Sequence, residues 1–193
     1  MQHVLTPYSV PIEPFVWWEG AFDEKELSWL QERAGKAEQD AQVGGDPSKE
    51  DLAKVRRSQV SWLNKTPDTE WLFQKLDHII SSLNAQYYRF DLTGFGEPLQ
   101  LTNYAQEQEG MYGWHQDYGG KFSRKMSLVL QLTDPSEYEG GNLQIMTTDT
   151  PQTMRKQRGL VVAFPSYVLH QVTPVTSGSR QSLVAWVSGP PFR

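Results

Sequence analysis

Lys125-Met126-Ser127-Leu128-Val129-Leu130-Gln131-Leu132-Thr133 is the stretch on which the fold reading turns. Met126, Leu128, Leu130 and Leu132 alternate with Ser127, Val129, Gln131 and Thr133, which is the two-residue period of a strand. One face is wholly apolar, as a surface under helices would be. The other is mixed, as the wall of a polar cavity would be. Similar short runs surround it: Leu99–Tyr104, Asn142–Thr147, Leu160–Phe164, Leu169–Val172 and Ser182–Val187. Turn residues separate them, among them Gly119-Gly120, Asp134-Pro135-Ser136, Gly140-Gly141 and Ser177-Gly178. Short strands punctuated in this way predict a β-sandwich or barrel from about residue 90 onward.

The first 90 residues have a different character. Met1 to Glu19 mixes prolines with aromatics and reads as an extended arm or first strand. Asp23 can cap a helix, with Glu26 at the capping-box position and Phe22 and Leu27 spaced as a hydrophobic staple; the helix should end near Gly35. Ala37 to Asp51 is polar, contains Gly44-Gly45-Asp46-Pro47, and predicts a mobile loop. Arg56 to Leu63 reads as one strand. Thr66-Pro67 opens a second helix whose buried face carries Leu72, Leu76, Ile79, Ile80, Leu83 and Tyr87. His78 falls on its opposite face and His3 in the arm, and both read as solvated. The expectation is one domain, residues 1–193, with a helical support region at 1–90 and a β core at 91–193.

The bulk properties narrow the function. At 193 residues the chain can bury a real core. It has no cysteine, so disulfides and thiolate ligands are excluded and a metal must take N and O donors. The net charge of −5, with signs interspersed, offers no basic stripe for nucleic acid. No basic, apolar leader opens the chain and no membrane span follows, so the expected setting is cytoplasmic.

Tyr112-Gly113-Trp114-His115-Gln116-Asp117-Tyr118 carries the chemistry. In an extended segment His115 and Asp117 point to one face and can hold one side of a metal ion. His170, in a later strand, offers a third ligand. Two histidines and a carboxylate are the donor set of the facial triad of non-haem Fe(II) oxygenases, which leaves the opposite positions open. Arg180 shares a face with Ser182, Val184 and Trp186 on the next strand and suits two-point binding of a carboxylate. A lone His-x-Asp is often only a hydrogen-bonded pair, and most arginines make surface ion pairs. The combination of ligands, strand order and arginine favours the metal site.

From about Leu101 to Ser188 the chain resembles the 2-oxoglutarate- and Fe(II)-dependent dioxygenases, and within them the prolyl 4-hydroxylase-like group, especially PKHD-type hydroxylases. Asn103-Tyr104, Tyr112 to Asp117, Leu128 to Pro135, Tyr138-Glu139-Gly140-Gly141-Asn142-Leu143, Gly159 to Ser166 and Leu169 to Thr176 carry the resemblance, completed by Gly178, Arg180 and Trp186. The N-terminal 90 residues match only loosely, through the first helix and Arg56-Arg57-Ser58. The usual helical extension past the core is not seen after Pro190-Pro191-Phe192-Arg193.

The resemblance implies a double-stranded β-helix, a cupin-like jelly roll with helices on its major sheet. It implies His115, Asp117 and His170 as iron ligands and Arg180 on the distal carboxylate of 2-oxoglutarate. Tyr104, Gln131, Leu143, Val172, Ser182 and Trp186 would line the cosubstrate pocket. The cofactors implied are Fe(II), 2-oxoglutarate and O2, with ascorbate a candidate addition, and the products succinate and CO2 beside a hydroxylated substrate. Substrate contacts are expected from Arg56, Trp62, Tyr112, Trp114 and Tyr118, with Arg57 beside them. The loops Ala37–Asp51 and Gly119–Ser123 are candidate lids. The expected partner is a proline-containing protein or peptide. The rivals are a small molecule such as free proline or a natural-product intermediate, and a jelly roll that binds metal or ligand without turnover. Neither a nucleic-acid nor a membrane partner is expected.

Overall fold

The computed structural model describes residues 12–37, 39–41, 48–119 and 122–191. Among them strand predominates. In chain order the strands are β1 (Val16–Trp18), β2 (Gln39–Asp40), β3 (Arg56–Arg57), β4 (Gln59–Leu63), β5 (Gly94–Phe95), β6 (Leu99–Ala105) and β7 (Met111–His115). They continue as β8 (Arg124–Gln131), β9 (Tyr138–Gly140), β10 (Leu143–Met146), β11 (Pro151–Thr153), β12 (Val161–Pro165), β13 (His170–Val172) and β14 (Val175–Ser188). The helices are α1 (Glu24–Gly35), α2 (Lys49–Val55) and α3 (Glu70–Leu83). The larger sheet runs β1-β12-β8-β14-β6-β4-β2, with β5 and β9 pairing on β14; the smaller runs β11-β10-β13-β7-β3. Every pairing is antiparallel. This is the expected jelly roll.

The alternation in β8 does what its pattern predicts. Met126, Leu128 and Leu130, continued by Leu132 just past the strand, pack with Leu101, Ala163, Leu183 and Ala185 against Leu27, Leu30, Leu72, Leu76 and Ile79 of the helices. The large sheet is therefore covered on its outer face by α1 and α3. Between the sheets, Val129 joins Leu143, Ile145, Val162 and Phe164 in a second cluster. The mixed face thus looks inward, where the site lies. Among the described residues no helix is long and apolar enough to cross a membrane.

Helix α1 starts and stops as its sequence predicts. The Glu26 N–H donates to Asp23 Oδ1 and the Asp23 N–H to Glu26 Oε2, both at 2.9 Å, so two otherwise orphaned donors are satisfied.

Four local expectations are corrected. Arg56 to Leu63 is two strands, because the chain changes sheets at Ser58: β3 pairs with β7 and β4 with β6. Helix α3 begins at Glu70, not at Pro67. Thr66 to Thr69 closes a turn first, with the Thr69 N–H donating to Thr66 O at 3.1 Å. At its far end α3 runs into a π-helical turn, Asn84–Tyr88. The wider turn brings Tyr88 inward (6% exposed) and leaves Tyr87 at the edge of the core. The supposed loop Ala37–Asp51 holds β2, which pairs with β4, and the start of α2; residues 42–47, with the Gly-Gly-Asp-Pro sequence, lie outside the described residues. His78 is exposed as expected and sets the edge of its ring on Trp18, while His3 is outside the described residues.

Candidate active site

The smaller sheet sets the two histidines side by side. β13 pairs with β7 so that His170 faces His115, and two residues later Val172 faces Tyr112. Two residues on β13 thus span three on β7, which is a β-bulge. The bulge changes the parity of β7. Tyr112 and His115 come to one side, their rings stacked at 3.4 Å, and Trp114 turns outward, 37% exposed. Strict alternation would have paired Tyr112 with Trp114 instead.

Asp117 lies just beyond β7. Its N–H and that of Tyr118 both donate to Ser166 O at 2.9 Å, which pins this turn against the end of β12. Asp117 Oδ1 is 3.7 Å from His115 Nε2, and Oδ2 is 3.6 Å from His170 Nε2. One ligand atom from each of the three residues lies within 4.8 Å of the others.

The surrounding bonds orient these donors. His115 Nδ1 is 2.8 Å from Gly113 O and His170 Nδ1 is 3.0 Å from Val168 O. A carbonyl accepts only, so each Nδ1 carries a proton and each Nε2 is turned inward toward Asp117. Ser127 Oγ donates to Asp117 Oδ2 at 2.7 Å and is itself 3.0 Å from Ser166 Oγ. Burial pushes the His115 imidazole well below its ordinary range, and the neighbouring His170 pushes it the same way. Burial opposes ionisation of Asp117, but His170, His115 and the Ser127 hydroxyl outweigh it and hold its carboxyl low. A metal ion binds the neutral form of an imidazole and the ionised form of a carboxylate, the states toward which His115 and Asp117 are shifted. The donor set is oxygen and nitrogen only, buried and preoriented, and it fits Fe(II).

A cavity of about 530 Å³ opens from these three residues. Tyr104, Leu143, Val172, Arg180, Ser182 and Trp186, the residues that the resemblance implies for a cosubstrate pocket, line it. Gln131 stands behind, accepting from Arg180 Nη2 at 2.9 Å. Arg180 is only 1% exposed, and its Nε has no hydrogen-bond partner. Among the described residues it makes no ion pair; its partners include Gln131, Ser182 Oγ at 3.4 Å, the Tyr138 hydroxyl and the Tyr104 ring at 5.4 Å. Burial raises the Tyr138 hydroxyl while the adjacent guanidinium of Arg180 pulls it down. Gly141 floors the arginine, since a Cβ there would sit 3.1 Å from Arg180 Cδ. The indole N–H of Trp186 is likewise buried and helps hold the Asp117 carboxyl low. A buried guanidinium with an unsatisfied donor in this cavity calls for an anionic, oxygen-rich guest.

Of the residues expected at the substrate side, Arg56, Trp62, Tyr112 and Tyr118 line the same cavity. Trp114 does not, for the reason of the bulge. Arg57 is spent elsewhere, donating to the carbonyls of Ala53, Gln108 and Glu109. At the mouth Trp62 and Tyr118 are 39% and 48% exposed. Of the expected lids, Gln39 and Asp40 from the first and Gly119 and Phe122 from the second touch the cavity, and residues 120–121 lie outside the described residues. Single-strand reasoning missed Ser58, Gln100, and the Arg124–Glu97 pair, joined by two 2.6 Å bonds beside Trp186. Only Ser127, on the mixed face of β8, carried a signal.

A jelly roll whose two sheets enclose a His-Asp-His cluster and a buried arginine defines a class, and residues 99–188 match the sequence profile of that class, the 2OG-Fe(II) oxygenase superfamily. This segment is similar to that superfamily. Its similarity narrows further to PKHD-type hydroxylases. One from Synechococcus sp. strain CC9605 is 44% identical over 80 residues, 39% of this chain and 36% of the relative. One from Sphingopyxis alaskensis is 30% identical over 111 residues, 54% and 50% of the two chains. The chain thus aligns with half or less of the length of these curated relatives. Solved prolyl hydroxylases share the fold. That of Pseudomonas putida superposes with a TM-score of 0.71 at 21% identity, covering 91% of this chain and 92% of the other. One from Trichoplax adhaerens, in complex with a hypoxia inducible factor oxygen degradation domain peptide fragment, gives 0.76 at 15%, covering 91% and 84%.

Proposed function

We propose that this chain is an Fe(II)- and 2-oxoglutarate-dependent hydroxylase of prolyl residues in a protein or peptide, acting as one catalytic domain in the cytoplasm. The observation that carries the cosubstrate is Arg180: a buried guanidinium with no carboxylate partner among the described residues, opening on the same cavity as the three metal donors. Burying an unpaired charge is costly, and a dicarboxylate guest relieves that cost.

His115, Asp117 and His170 would hold the iron, and Arg180 the distal carboxylate of 2-oxoglutarate, steadied by Gln131 and Ser182. The bound iron supplies oxidative decarboxylation of 2-oxoglutarate to succinate and CO2, with transfer of one oxygen atom to the substrate. The protein's part is orientation and exclusion. Ser127 fixes Asp117, the backbone carbonyls fix the imidazoles, and Leu143, Val172 and Trp186 keep water from the reacting centre. The half-exposed aromatics Trp62 and Tyr118 at the mouth support a proline-bearing chain lying across it, since aromatic faces suit a proline ring. The peptide-bound structural neighbour supports the same reading.

Incubation with Fe(II), 2-oxoglutarate and a panel of proline peptides beside free proline tests this. One added oxygen atom on a peptide, with matching succinate, is expected. Oxygen gain on free proline alone would make it a small-molecule hydroxylase. Absence of both succinate release and oxygen gain would overturn the oxygenase reading.

A further inference from the structure

The cavity holds two buried arginines, and they are furnished alike. Arg180 bonds a glutamine oxygen (Gln131) and a serine hydroxyl (Ser182) over a tyrosine ring (Tyr104). Arg56, 7% exposed, donates from Nη2 to Gln100 Oε1 at 2.9 Å and from Nε to Ser58 Oγ at 2.9 Å. Its Cζ lies 4.5 Å from the Tyr112 ring centroid. In both, the serine is two residues along the chain from its arginine, and the partners named here are neutral. Among the described residues neither guanidinium forms an ion pair.

We propose that Arg56, Ser58, Gln100 and Tyr112 form a second anion site that takes a carboxylate of the substrate. This rests on the hydroxylase reading, in which Arg180 is committed to 2-oxoglutarate. Arg56 lines the cavity and spends two of the five N–H donors of a guanidinium. Three remain for a guest. A neutral residue could tie β3 to β6; a charge buried without a partner is the costlier choice and is explained by an anion that arrives from solvent. The place is right for substrate. The Tyr112 ring under Arg56 stacks at 3.4 Å on the ring of His115, so the anion would sit one aromatic ring from the metal donors. It is also separate from the Arg180 site. Gln100 and Tyr104 are four residues apart on β6, which sets them about 13 Å apart along one face of the strand. The carboxylate has two sources: the free carboxyl of a small acid, or an acidic residue close to the target in a peptide.

The test uses the whole chain loaded with Mn(II), to prevent turnover, and 2-oxoglutarate. Two matched pairs are titrated by calorimetry: L-proline against L-prolinamide, and acetyl-Pro-Asp-amide against acetyl-Pro-Asn-amide. In at least one pair the carboxylate should bind about tenfold or more tightly than its amide, as a charge-assisted bidentate contact gives. The pair that discriminates identifies the source. Arg56→Gln should erase the preference, and Arg56→Lys should keep part of it. If Arg56→Gln does not fold, Ser58→Ala must weaken the preference instead. No preference in either pair, no binding of any probe, or a preference that survives Arg56→Gln overturns the site. Titration of 2-oxoglutarate beforehand separates the failures. Normal 2-oxoglutarate binding with flat probe pairs removes the second anion site alone; absent 2-oxoglutarate binding removes the reading beneath it as well.

Discussion

Asp117 holds the metal cluster together, because it is the residue that faces both imidazoles. Asp117→Ala should abolish tight Fe(II) binding, read by anaerobic titration of the apo-protein, while the far-ultraviolet circular dichroism stays that of a β protein. Unchanged affinity would remove it from the site. Ser127→Ala should cost less, about tenfold in Fe(II) affinity, because it removes only the bond that orients Asp117; an affinity equal to wild type would make that bond incidental. At this scale the sequence was legible where chemistry is rare: two histidines, a carboxylate and an arginine in strand order stand out against any background. It was illegible where geometry intervenes. A bulge in β7 leaves no trace in residue types, so Tyr112 and Trp114 looked equivalent when only one faces the cavity. Nor could alternation within one strand bring Gln100 to Arg56, which lies 44 residues away along the chain.

Elements declared themselves through their ends. The Asp23–Glu26 box is local, and so readable; Asp23→Ala should lower unfolding free energy by about 1 kcal/mol, measured by urea denaturation, and an unchanged midpoint would mean that tertiary packing alone holds α1. The long β14 was read only as Ser182–Val187, because its first half, Val175-Thr176-Ser177-Gly178-Ser179, looks like a turn. The structure explains that half by β9, which pairs with it there. Gly178 has φ +67°, and a Cβ would fall 2.0 Å from Glu137 O. Gly178→Ala should therefore destabilise the protein more than Asp23→Ala does, since left-handed strain adds to a backbone clash. A smaller loss in the same denaturation series would contradict that register. The π-helical turn after α3 and the sheet change at Ser58 escaped periodicity for a shared reason: both are breaks in a period, set by what packs against them.

For the whole molecule, the layering followed from one strand. Because β8 is apolar on one side and mixed on the other, helices had to cover the first and a cavity had to meet the second. Leu128 is fully buried in the layer between sheet and helices. Leu128→Ala should cost about 2–5 kcal/mol with little change in the slope of the denaturation curve; a loss under about 1 kcal/mol would mean that this layer is not the main core. The jelly roll then places two buried arginines and three metal donors around one cavity, and the account stands on Arg180. The most direct test is equilibrium binding of 2-oxoglutarate, without oxygen, to wild type and Arg180→Ala, each with and without Fe(II). The expected result is metal-dependent binding to wild type. The alanine variant should weaken it about tenfold or more, the loss of a charge-assisted contact of about 1.5–3 kcal/mol, and Arg180→Lys should restore it in part. Binding that ignores the metal, or equal affinity in wild type and Arg180→Ala, would contradict the account.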